Sequence, residues 1–140
     1  ALSSTGNNFV FFPSTSKITS LFFLKLKPAL IDTSWLVLFF IFVTNIKNGT
    51  NHEVSIKAGF NFKKNKDVIF DVDGKKTKLF PVDDRAWSES TKVDRFLVQS
   101  MRRGQKLVVT GISTPGNKII DTYSLSGFTK ALRLIDKSCS

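Results

Sequence analysis

From Glu53 onward the apolar residues of this chain keep time with a β-strand. In "EVSIKAGFNF", Val54, Ile56, Ala58, Phe60 and Phe62 alternate with Glu53, Ser55, Lys57, Gly59 and Asn61. Successive side chains of a strand point to opposite faces, so this spacing predicts one buried face and one wet face. Val68, Phe70 and Val72 repeat the alternation, Asp73-Gly74 supplies a two-residue hairpin turn, and "KKTKLFPV" returns. Together these segments predict an antiparallel meander. A second hairpin sets "KLVVTGI" against "KIIDTYSL" across Thr114-Pro115-Gly116-Asn117. Pro presets φ there and Gly takes the positive φ of a type II turn. Tyr123 reads as a core-edge aromatic with its hydroxyl at the rim.

The period changes twice. Between Thr91 and Gly104, Val93, Phe96, Leu97 and Met101 fall on one helical face, Thr91 and Asp94 stand at capping-box spacing, and Gly104 follows as a stop. Arg102 and Arg103 occupy the last turn, where the helix dipole favours cations. Near the end of the chain, Phe128, Ala131, Leu132, Ile135 and Cys139 form an apolar stripe opposite Lys130, Arg133 and Lys137. That pattern predicts a second helix with Cys139 on its core side.

The first 33 residues differ. They are rich in Ser, Thr and Asn, interrupted by Pro13 and Pro28, and predict loops with one short strand near Leu21 to Leu26. "WLVLFFIFV", Trp35 to Val43, is a run of nine apolar residues. A spanning helix needs about 20, and extension backwards meets Asp32, Pro28 and Lys27, so a buried strand is the better reading. A membrane anchor built on "SLFFLKLKPALIDTSWLVLFF" is the competing one.

At 140 residues, 41% of them hydrophobic and 14 of them Phe, the chain suits one folded domain. Its 21 Lys and Arg against 11 Asp and Glu give a net charge of +10, which attracts polyanions. Residues 1–46 contribute only Lys17, Lys25, Lys27 and Asp32, so the charge belongs to the β-patterned part. Lys63, Lys64, Lys66, Lys75, Lys76 and Lys78 are interleaved with Asp67, Asp71 and Asp73, as on the solvated face of a hairpin. Lys63, Lys64, Lys75, Lys76 and Lys78 are the candidate anion-binding surface. The sequence shows no specific nucleic-acid motif.

The search for chemistry yields no catalytic, cofactor or metal set. One Cys excludes a disulfide within these residues, and one His, His52, excludes most zinc sites. Asp71, Asp73 and Gly74 resemble the opening of a calcium loop, but Val82 stands where the bidentate Glu belongs. Gly111 and Gly116 have P-loop spacing, yet Asn117 replaces the Lys and a strand follows in place of a helix. A Ser-His-Asp set would need His52, which reads as an exposed or edge residue of a strand. Asp83 and Asp84 are adjacent in an extended segment and point apart, which suits a turn better than acid-base work. Asn48-Gly49-Thr50 fits a glycosylation acceptor and equally a turn. The start at Ala1 suits a removed leader.

Several of these segments together have a family look: "FVT" at Phe42 to Thr44, "HEVSIKAGFNFK", "VDGKKTKLF", Ala86-Trp87, "MRRGQKLVVTGIS" and above all "DTYSLSGFTKAL". In order and spacing, from roughly Phe40 to Cys139, they resemble the invasion-associated locus B family of bacterial exported proteins. The resemblance implies a compact β-rich domain, a periplasmic or secreted location in a Gram-negative bacterium, and a part in stress response or host-cell interaction for some members. It implies no known catalytic activity. It also implies that Cys139 is one half of a disulfide whose mate is absent from residues 1–36, leaving a buried thiol or an intermolecular link. Pro115 stands where relatives tend to carry an Arg.

The resulting expectation is a mainly β protein, an antiparallel sandwich or partly closed barrel of about six to eight strands. It has two short helices, at 91–103 and 127–138. One domain covers 1–140, with 1–36 a divergent N-terminal segment and 37–139 the family-like β domain. The expected function is non-catalytic and exported, through surface interactions with another protein or an anionic surface. The alternative is a basic polyanion-binding module for lipid headgroups, glycans or nucleic acid. No cofactor is expected, and an oligomer could form through Cys139.

Overall fold

The computed structural model describes residues 3–4, 9–12, 19–23, 39–46 and 51–139, with side chains from 39 to 46 and from 51 to 137. Ten strands and two helices lie among them: β1 (Ser3–Ser4), β2 (Phe9–Phe12), β3 (Thr19–Phe23), β4 (Phe39–Ile46), β5 (Asn51–Ala58), β6 (Val68–Val72), β7 (Lys75–Val82), β8 (Arg85–Trp87), α1 (Thr91–Arg103), β9 (Lys106–Ile112), β10 (Lys118–Ser124) and α2 (Phe128–Cys139). The strands form one antiparallel sheet in the order β1-β2-β3-β4-β5-β8-β7-β6-β9-β10. The protein is mainly β, a sheet curled into a half-barrel with two helices.

Three strands precede Phe39 where the sequence suggested loops and one strand, so the total exceeds the expected six to eight. Backbone pairing with β4 accounts for β3, from Thr19 opposite Asn45 to Phe23 opposite Ile41. Trp35 to Leu38, the start of the nine-residue apolar run, lie outside the described residues. The run's strand is β4, whose buried residues Phe39, Ile41, Val43 and Asn45 alternate with half-buried ones. It is buried on one face and half-buried on the other, in keeping with the buried strand that the sequence suggested.

The predicted meander is also revised. β5 neighbours β8, and the β6/β7 hairpin lies beyond it. The strand ends at Ala58, and the chain then bulges: Ala58 N donates to Asp84 O and Phe62 N to Asp83 O, both at 2.8 Å. Two consecutive carbonyls thus take amides four residues apart, which leaves Gly59 to Asn61 outside the ladder. Phe62 then forms an isolated bridge to Ser113, just past the end of β9. Lys63 N donates to Ile112 O at 2.7 Å and Thr114 N to Asn61 O at 3.0 Å. This bridge joins β5 to β9 around the loop of β8, β7 and β6, closing the barrel at one end.

β7 makes the corner. Lys75 to Leu79 pair with β6, and Phe80 to Val82 pair with β8. Pro81, which has no N–H to give, stands where pairing to β6 has ended. The turn before β7 has positive φ at both Asp73 (49°) and Gly74 (93°), the conformation that a twisted two-residue hairpin requires.

The core runs from Phe39, Ile41, Val54 and Ile56 through Phe70, Leu79 and Val109 to Leu97, Met101, Phe128, Leu132 and Ile135 of the helices. Rings of Phe39, Phe60 and Phe62 meet at the closing bridge, Phe39 and Phe62 stacked at 6.4 Å and Phe60 edge-on to both. Gly111 is what admits the Phe62 ring. A Cβ there would come within 2.7 Å of Phe62 Cε1. Its glycine therefore serves packing in a strand.

Candidate functional site

The lysines singled out in the sequence do not form one patch. Lys63, Lys64, Lys75, Lys76 and Lys78 are all exposed. Lys75 and Lys76 pair with Val72 and Asp71 at the hairpin tip, whereas Lys78 pairs with Ile69 toward the other end. Lys78 meets Asp67 at 3.6 Å. Lys63 and Lys64 precede β6 at that same end, beside a hollow of about 370 Å³ shared with Phe62, Asp83 and Thr114. The hairpin thus carries two cationic ends.

Asp71 and Asp73, the calcium-like pair, hold backbone amides. Asp71 Oδ1 accepts from Gly74 N at 2.8 Å, and the two oxygens of Asp73 accept from Gln105 N at 2.7 Å and Lys106 N at 3.2 Å. Asp83 takes positive φ (55°) in the turn between β7 and β8, and Asp84 lies 3.9 Å from Lys57 Nζ. Cys139 ends α2, and its side chain lies outside the described residues, as does Asn48-Gly49-Thr50.

Two polar arrangements were missed in the sequence. The first surrounds His52, which faces inward with only 17% of its side chain exposed. Asn45 and His52 are opposed across β4 and β5, so both project to the helix side. Asp136 of α2 meets them there: its Oδ1 accepts from Asn45 Nδ2 at 2.7 Å and lies 2.7 Å from His52 Nε2. A carboxylate only accepts, so Nε2 is the nitrogen that carries hydrogen. The edge histidine of the sequence reading is therefore a bonded one. Its partner is 84 residues away, and no local pattern announces it.

The second is a groove of about 210 Å³ beside that ring, walled by Asn51 and His52 on β5 and by Thr91, Arg95, Val98, Gln99 and Arg102 on α1. Spacings of three and four residues place the α1 members on one helix face. α1 presents that face because its buried residues are Asp94, Leu97, Val98, Ser100 and Met101. Of the expected stripe, Leu97 and Met101 are fully buried and Val93 half-buried, but Phe96 is 49% exposed. Asp94 is buried beside them: its Oδ1 accepts from Val54 N at 3.0 Å and Ser88 Oγ at 2.6 Å, which ties that side of the helix to β5. The N-cap accordingly falls to Ser90, whose side chain accepts from Val93 N, one residue before the expected Thr91. Neither Arg95 nor Arg102 forms an ion pair among the described residues.

Tyr123 is the remaining correction. It is 1% exposed, well inside the rim, and its hydroxyl donates to Phe39 O at 3.2 Å. Burial pushes the phenol far above its usual range, and the nearby Asp121 carboxylate adds in the same direction.

This architecture has known counterparts. The family model for "Invasion associated locus B (IalB) protein" matches residues 33–136. The chain belongs to the invasion associated locus B family. Among solved structures, invasion associated protein B from Bartonella henselae has a TM-score of 0.71 at 14% identity, covering 96% of this chain and 95% of that one. At that identity the likeness speaks for the fold. No curated protein matches the chain. Among the described residues no helix is long and apolar enough to cross a membrane.

Proposed function

We propose that this member of the invasion associated locus B family is an exported, non-catalytic β-domain protein, periplasmic or secreted, that acts by surface contact with an anionic partner. The observation that carries this reading is the use of its polar groups. Inside, Asp94, Tyr123, Asn45 and Asp136 hold the framework together. Outside, Lys63, Lys64, Lys75 and Lys76 are exposed and form no ion pair among the described residues. Export and a role in stress response or host-cell interaction come from the family.

Binding to a sulfated polysaccharide, followed across salt concentrations, tests the contact. Affinity should fall steeply with salt, and changing Lys63 and Lys64 or Lys75 and Lys76 to Ala should each reduce the slope of log K against log salt by about one to two. The two pairs occupy opposite ends of the hairpin, so their effects should add. Binding indifferent to salt and to both pairs would count against the reading. So would hydrolase or transferase turnover abolished by changing one polar residue.

A further inference from the structure

From the groove between α1 and β5 we infer a binding site for a phosphate or sulfate monoester, held chiefly by Arg95 and Arg102. The inference builds on the contact reading and names a second site, on α1 and β5 and not on the lysines of the hairpin.

Arg95 and Arg102 both line the same hollow, from positions two turns apart on one face of α1. The described lining contains no carboxylate. Two neighbouring acids are engaged elsewhere: Asp94 is buried on the β5 side with Val54 N and Ser88, and Asp136 reaches the His52 ring from α2. Two cationic residues along one groove whose described lining holds no carboxylate favour an anion between them.

The other liners choose among anions. Each guanidinium offers up to about five N–H donors in a planar fork, and Asn51, Gln99 and Thr91 add amide and hydroxyl donors around them. A carboxylate has two oxygens and one charge. A phosphate or sulfate monoester has three terminal oxygens to share between two forks, and a phosphate monoester approaches two charges at neutral pH. The buried side chain of Val98 gives the groove an apolar floor. A hollow of about 210 Å³ has room for the oxyanion and the first atoms of the group that it esterifies.

The test is an NMR titration of the isotope-labelled protein with inorganic phosphate, phenyl phosphate and acetate, and with vesicles of phosphatidylcholine carrying phosphatidic acid. Saturable amide shifts should centre on Asn51, His52 and the Thr91 to Arg102 stretch for the phosphates and be weaker for acetate. Arg95→Ala and Arg102→Ala should each lower affinity about tenfold or more, and lysine at either position should restore only part of it. Both arginines are exposed, so an unchanged spectrum elsewhere shows that the variants fold. A response to vesicles alone would assign the monoester to a lipid headgroup. A response to phenyl phosphate in solution would assign it to a free ligand. Shifts scattered over Lys63, Lys64, Lys75 and Lys76, an equal response to acetate, or arginine variants that bind as well as wild type would overturn the inference. If salt-sensitive binding through the lysines persisted in that case, the contact reading would stand without it.

Discussion

At the scale of single residues, stability rests on a few buried groups, Tyr123 and Phe128 among them. Tyr123 is the only tyrosine in the chain, so tyrosinate absorbance reports it alone. Its folded-state pKa is raised, so the native state retains the proton that the unfolded chain gives up near pH 10. The stability it contributes is therefore complete below about pH 10 and is lost as pH climbs beyond it. A spectrophotometric titration should show tyrosinate appearing only with unfolding, and Tyr123→Phe should flatten part of the alkaline decline. A reversible native titration near pH 10 would place the hydroxyl in water. Phe128, fully buried at the start of α2, should cost about 3–5 kcal/mol when changed to Ala, measured by denaturant unfolding. A loss below about 1 kcal/mol would mean that α2 does not seal the core.

Elements were legible where their signal is local. The hairpins, the Asp73-Gly74 turn and both helices could be read because alternation, turn chemistry and helical spacing each operate within about ten residues. The Thr114-Pro115-Gly116-Asn117 turn was misplaced by one residue. Gly116 N donates to Ser113 O, and Ser113 N to Asn117 O, which makes a three-residue loop with Gly116 at positive φ (98°). The face of α1 was read correctly at Leu97 and Met101 and missed at Phe96, which is exposed while the carboxylate of Asp94 is buried. Apolar spacing does not reveal a partner 40 residues back, at Val54. Gly104 shows the same limit. It ends α1 as expected, but in extended conformation, and its glycine is required because a Cβ would lie 2.4 Å from Val72 Cγ1 and 2.9 Å from Ser100 O. Gly104→Ala should therefore destabilise by about 1–3 kcal/mol, as overpacking does. Thermal unfolding that matches wild type would show that β6 can yield there.

For the whole molecule, strand order and barrel closure were out of reach. The bulge after Ala58 depends on carbonyls of Asp83 and Asp84, and the closing bridge on Ser113, residues far from it in sequence. The same long-range folding separates Lys63 and Lys64 from Lys75 and Lys76 while bringing His52 to Asp136 and Arg95. Charge was plain in the sequence, and its arrangement was not. Chemistry-bearing pairs such as His52 with Asp136 come from opposite ends of the β domain, so no motif search finds them.

Fractionation of the source organism, with mass spectrometry of the mature N-terminus, most directly tests an exported protein that acts by contact. The account predicts recovery in the periplasm or the medium, with a start that shows a leader has been cleaved. Recovery in the cytoplasm with an uncleaved start would contradict it, leaving the family's fold without the family's location.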